Sequence, residues 1–269
     1  MGKSRFIAPT TLVGLLAVPP AYAADLTPMM PVKYREAERL PWAGLYVGAN
    51  AGFAWSSDPR TDCTFAGPGV SPCIPAPAIL GGTSGTAFPS VSSSGAEYGL
   101  QAGYNWQVAN WVLGFEADIN KLAAQGNTHF AGVDPGKGPD QLSQRYDWLG
   151  TARGRVGVTA GNALFYATGG FAYGRTNHEY IYALSSPANT QTFGLSELRT
   201  GWTAGGGAEY AFNQHWSVKA EYLYVHLAAS NLNISSLAFI GNLNSPTGTT
   251  ILHFNNNLNI VRIGANYRF

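Results

Sequence analysis

The chain has 269 residues, 12% of them charged and 13% aromatic, with 33 glycines, a formal net charge of +1 and a pI near 7.8. An ordinary soluble domain carries about 25% charged residues, and a chain this close to neutral has neither a basic footprint for nucleic acid nor an acidic tail. The length suits one domain of barrel size, and a mean hydropathy of -0.05 is what strands with one oily and one polar face average to.

Lys3 and Arg5 precede an apolar stretch, 6–18, that ends in Ala21-Tyr22-Ala23. That order predicts a secretory signal peptide over 1–23. Residues 24–41, bounded by prolines, are read as a periplasmic tether. Nothing after the signal offers the roughly 20 consecutive apolar residues of a spanning helix, so a membrane location requires a closed barrel over 42–269.

Period-two alternation yields eight segments after residue 41. Segment 44–55 puts Leu45, Val47, Phe53 and Trp55 on one face and Tyr46, Gly48 and Asn50 on the other. In 96–107, Tyr98, Leu100, Tyr104 and Trp106 oppose Glu97, Gln101 and Asn105; in 111–120, Trp111, Leu113, Phe115 and Ile119 oppose Glu116 and Asp118. Segment 146–159 sets Trp148, Val156 and Val158 against Arg153 and Arg155, and 163–174 shows Phe165, Phe171 and Tyr173 outward. In 201–212 and 216–226, Trp202, Tyr210, Trp216, Val218 and Tyr222 oppose Glu209, Lys219 and Glu221. The last, 258–269, alternates Val261, Ile263, Ala265, Tyr267 and Phe269 with Arg262, Gly264, Asn266 and Arg268. An oily face opposite a charged one fits a wall between lipid and a polar lumen. The prediction is all-β: an eight-stranded antiparallel up-and-down transmembrane β-barrel in the outer membrane.

Connections alternate in length. Tight turns at 108–110, 160–162 and 213–215 contrast with long stretches at 56–95, 121–145, 175–198 and 227–256, which are rich in Gly, Ser, Asn, Thr and Pro. Short periplasmic turns and long external loops are the asymmetry of such barrels. Trp55, Trp106, Trp111, Trp148, Trp202 and Trp216 fall at strand ends on the outward face, as interfacial girdles require. A soluble secreted barrel would need its oily face inside.

The inward face collects Glu97, Glu116, Asp118, Glu209 and Glu221 with Arg153, Arg155, Lys219, Arg262 and Arg268. An eight-stranded bore is just wide enough for side chains to fill, so these are expected to form a plug of mutually paired charges; a permeant pathway is the sharper alternative. Cys63 and Cys73, in the first long loop of an oxidising compartment, are expected to form a loop-stapling disulfide. The five histidines, mostly in or near predicted outer loops, read as polar loop residues, with haem or metal capture by His129, His178 and His253 as the alternative. No cofactor or metal is expected, and no G-x-S-x-G, H-E-x-x-H or Walker-type run suggests an enzyme.

Several motifs carry a family resemblance: Trp42-Ala43-Gly44-Leu45-Tyr46-Val47-Gly48, Glu97-Tyr98-Gly99-Leu100-Gln101-Ala102-Gly103-Tyr104-Asn105-Trp106, Asp147-Trp148-Leu149-Gly150-Thr151-Ala152-Arg153-Gly154-Arg155 and Asn266-Tyr267-Arg268-Phe269. With them the chain resembles the RopB-type small outer-membrane barrels of alphaproteobacteria, related in architecture to opacity proteins and the OmpA barrel. The resemblance implies a structural or surface role in envelope integrity, with porin-like passive diffusion or loop-mediated haem or host-ligand binding as alternatives. It also implies that the barrel assembly machinery recognises the terminal strand through Tyr267 and Phe269. Outer-membrane lipid and lipopolysaccharide would surround the wall. The long, cysteine-bearing first loop departs from the family pattern, so loop-borne functions transfer poorly.

Overall fold

The computed structural model describes residues 42–66, 87–130, 139–183, 190–235 and 249–269. The predicted signal peptide, the tether and Cys73 lie outside the described residues. Eight long strands form a ring: β1 (Gly44–Ser56), β4 (Ser94–Val108), β5 (Trp111–Leu122), β7 (Asp140–Ala160), β8 (Ala163–Ala183), β9 (Thr190–Ala211), β10 (Trp216–Ser235) and β11 (Thr249–Arg268). Each pairs antiparallel with the next, and β11 returns to β1 from Tyr46↔Arg268 to Ser56↔Leu258, so no edge is left in the wall. Three short strands, β2 (Thr61–Ala66), β3 (Ala87–Phe88) and β6 (Gln125–Phe130), attach at one end.

The wall turns its oily side out. Leu100, Phe115, Ile119, Ile263 and Phe165 are more than half exposed, while all ten predicted lumen charges are at most 4% exposed. Trp106, Trp111 and Trp216 ring the end with the short turns, and Trp55, Trp148 and Trp202 ring the other. By the asymmetry of this architecture the short-turn end is periplasmic.

Five of the ring strands run well past the outer girdle, and two segments that read as loops contain strands of their own. Residues 121–145, 175–198 and 227–256 include β6 and the upper parts of β7 to β11, and 56–95 includes β2 and β3. Together these make a crown above the wall. The crown reverses the polarity of the wall: Leu142, Tyr180, Tyr182, Leu232, Ile234, Leu252 and Phe254 pack inside it with Cys63 and Val91. Outside the bilayer an oily outer face has no solvent to favour it, so the same period-two pleat buries the opposite set. Cys63, expected in a loop, sits on β2 against this core and is disulfide-bonded.

Two irregularities break the alternation. A bulge lies between Tyr146 and Trp148 in β7, another between Leu227 and Ser230 in β10; each inserts residues that shift which parity faces inward. Above the second bulge β9 and β10 part company. Their pairing stops at Gly201↔Leu227, while β9 stays on β8 to Thr190 and β10 stays on β11 to Ser235, which leaves a lateral seam in the crown.

Candidate functional site

The bore is the site that the sequence singles out, and its geometry begins with two tyrosines. Tyr46 faces Gly103 across β1 and β4, and Tyr166 faces Gly207 across β8 and β9. A Cβ at either glycine would run into the tyrosine opposite, so glycine is what lets each ring lie across the bore. Tyr46 Oη donates to Glu116 (2.8 Å) and accepts from Arg155 (3.0 Å), and Tyr166 Oη donates to Glu221 (3.0 Å). Arg155 stacks over the Tyr166 ring at 4.3 Å.

Around them the charges interlock. Arg153 bridges three carboxylates, with Nη2 at 2.5 Å from Glu116 and 2.9 Å from Asp118, and Nη1 at 3.0 Å from Glu221. Lys219 Nζ is 2.7 Å from Glu116, and Arg262 Nη2 is 2.6 Å from Glu221 and 3.0 Å from Asp118. Arg155 holds Glu209 at 2.8 Å, and Asn266 and Ser217 also donate to Glu209. Such multiply bonded ions are what burial of charge demands, since an unpaired one is costly.

Two of the ten predicted residues sit differently. Glu97 is 4.0 Å from Arg262, and neither of its oxygens has a hydrogen-bond partner. It stands opposite Leu122, at the upper border of the charged layer, while the Arg262 guanidinium is engaged by Asp118 and Glu221. Arg268 is likewise 4.0 Å from Glu209. Its guanidinium lies instead 4.9 Å over the ring of Trp42, a fully buried residue whose backbone amide donates to Gln107.

The lumen is not polar throughout. Above the charges, Leu122, Tyr146, Leu149, Leu223, Val225, Leu227, Leu258 and Ile260 form an apolar layer inside the ring. Below them Trp42, Val112, Leu164 and Ala211 cluster at the periplasmic end. The signal for the upper layer is present: Leu223, Leu258 and Ile260 share the inward phase of Lys219, Glu221 and Arg262, but apolar runs such as 222–225 hide which of their members face the bore.

The outer membrane protein beta-barrel domain, as a family model, matches residues 10–269. The chain belongs to that family. A 31 kDa outer-membrane immunogenic protein of Brucella melitensis biotype 1 is 32% identical over 253 residues, 93% of each chain. A 22 kDa outer membrane protein of Rhizobium leguminosarum bv. viciae is 28% identical over 137 residues, 51% of this chain and 55% of the relative. Among solved structures, OprG of Pseudomonas aeruginosa aligns at 14% identity with a TM-score of 0.46, over 85% of this chain and 98% of the other. This outer-membrane barrel therefore has its relatives among the small outer-membrane proteins of Brucella and Rhizobium.

The histidines of the barrel are mostly on strands, not in loops. His129 lies on β6, His178 on β8, His226 on β10 and His253 on β11; only His215 is in a turn. His253 bonds Asn231 and Thr64 on the exposed side of the crown, while His178 is buried inside it and stacks on Phe254 at 4.2 Å. The structure thus does not bring His129, His178 and His253 together. Among the described residues no group of three or more His, Cys, Asp or Glu is placed to hold a metal ion.

Burial, with Arg199 nearby, pushes the His178 imidazole down to about 3, against about 6.5 in an unfolded chain. Between those values the unfolded chain takes up a proton that the folded one refuses, so His178 makes stability fall as pH drops from about 6.5 toward 3. His178→Gln lacks that uptake. Urea midpoints across this window should shift progressively in favour of the variant relative to wild type; a constant difference would contradict the assignment.

Proposed function

We infer that this barrel is a non-conducting structural element of the outer membrane whose crown is presented at the cell surface. The observation that carries the reading is the stacking of three filled layers in the bore: the Trp42 cluster, the charge network and the apolar layer of Leu122 to Ile260. A solute crossing it would have to displace buried charges and buried leucines together, and small barrels are packed for this reason. The relatives in Brucella are described as outer-membrane immunogenic proteins, which agrees with a surface-exposed crown. The relatives named above are described as outer-membrane proteins and not as enzymes, and no reaction is proposed.

Planar-bilayer recording tests this directly. The reconstituted barrel should give no steady channel at any applied voltage that the bilayer survives. Reproducible single-channel steps, proportional in frequency to the protein added, would favour passive diffusion instead.

A further inference from the structure

We propose that the outer face of β5, β7 and β8 binds a phosphorylated glycolipid of the outer leaflet, held by Lys121 and Arg175 on either side of Trp148. The three residues form one cross-strand rung: Lys121 pairs with Trp148, and Trp148 with Arg175. They stand at the outer girdle, where Trp148 packs edge-on to Tyr173. An indole at that level marks the boundary between acyl chains and headgroups.

The described cations divide sharply. Five lie in the bore and Arg199 pairs with Glu197. Of those on the outside, Arg60 is held by Asp58 and Arg145 by Asp147 at 3.1 Å. Lys121 and Arg175 are exposed and have no acidic partner among the described residues. Two unpaired cations flanking a tryptophan at headgroup depth suit phosphate groups. Strands on either side of a shared neighbour put their backbones about 10 Å apart, and a disaccharide carrying a phosphate at each end is long enough to reach both.

What lies above and below the rung selects a glycolipid over other anionic lipids. Directly above it is a concavity of about 640 Å³ on the crown, floored by two polar rungs, Gln125, Arg145, Asn177 and Ser196, then Asn127, Ser143 and Glu179. Below it the Tyr173 ring covers Gly150, and past that ring β7 presents Ala152 and Gly154, with Phe171 beside the first and Phe115 beside the second. The outer side of Gly154 is open: a Cβ added there would have its nearest neighbour 3.9 Å away. The order along the barrel is therefore hydrogen-bonding side chains, cations, then small residues in the wall, which matches sugar, phosphate and acyl chain in turn. A glycerophospholipid would fill the lower two levels and leave the polar concavity unused.

The test uses the whole folded barrel in detergent micelles, titrated by native mass spectrometry with diphosphoryl lipid A, its dephosphorylated form, phosphatidylglycerol and inorganic phosphate. Wild type should bind diphosphoryl lipid A roughly thirtyfold more tightly than the Lys121→Ala/Arg175→Ala double variant, at about one factor of five per cation. Asn127→Ala/Ser143→Ala should weaken lipid A binding roughly fivefold and leave phosphatidylglycerol unchanged. All four positions face solvent or headgroups, so heat-modifiable gel mobility should show both variants folded, and Arg60→Ala should bind like wild type. Equal binding by the Lys121/Arg175 variant would overturn the proposal. So would equal affinity of wild type for phosphatidylglycerol, which indicates a general anionic-lipid surface, or full displacement by millimolar inorganic phosphate, which indicates a simple anion site.

Discussion

Arg153→Ala should destabilise the folded barrel by about 3–5 kcal/mol, the cost of removing one partner from a buried ionic network. Among the described residues, Arg153 is the one cation that touches Glu116, Asp118 and Glu221 together at hydrogen-bonding distance, and its side chain is fully buried. Without it Lys219 still reaches Glu116, and Arg262 still reaches Asp118 and Glu221. Five buried carboxylates would then face four cations. No water from the bilayer side can compensate, since the wall outside is lipid. The measurement is the urea midpoint for loss of the heat-modifiable form in detergent or vesicles. Glu116→Gln in the Arg153→Ala background removes part of the stranded charge, so the double variant should recover on the order of 1–2 kcal/mol of coupling relative to additivity. Arg175→Ala, an exposed cation of the same type, should stay within about 0.5 kcal/mol of wild type. A wild-type midpoint for Arg153→Ala would mean that the backbone ladder holds the barrel and the charges are incidental.

The wall is legible in the sequence because a lipid-facing strand must keep a strict alternation: 44–55, 96–107 and 111–120 fall within a residue or two of β1, β4 and β5. The crown is not, and the reasons are local. Alternation marks β7 only from 146 and β10 only to 226, each within two residues of a bulge, where the parity of the inward face changes. β8 and β11 have no bulge, yet their outer halves read as loop because polar Asn177 and Glu179, or Asn255 and Asn257, replace the oily outward residues once the strand leaves the bilayer. In the bore the charged residues are visible by type and phase. Phase puts Tyr46 on the inward face without a role, and Tyr166 and Trp42 gain theirs only from contacts across the ring. Glu97 shows the limit of phase alone, which places a carboxylate in the lumen without saying whether a cation is left to meet it.

Three arginine substitutions on one architecture separate the two polarities of these strands. Leu100, 66% exposed, stands on the outside of the wall between Tyr98 and Tyr104; Leu100→Arg should cost about 2–4 kcal/mol, as a cation near the bilayer midplane does. Ile181 also points outward, opposite Gln141 and Thr192, but in the crown. Ile181→Arg should change stability by no more than about 0.5 kcal/mol, because its surroundings are water. Phe254 lies inside the crown, 1% exposed and stacked on His178. Phe254→Arg should cost at least about 3 kcal/mol, the penalty for emptying a buried aromatic site before any charge is desolvated. The same outward direction is thus intolerant of charge in the wall and indifferent to it in the crown, and only a change of solvent along the strand produces that contrast. Unfolding titrations in lipid vesicles read all three. A tolerated arginine at Leu100 combined with a costly one at Ile181 would place the bilayer around the crown instead, and the assignment of both girdles would fall with it.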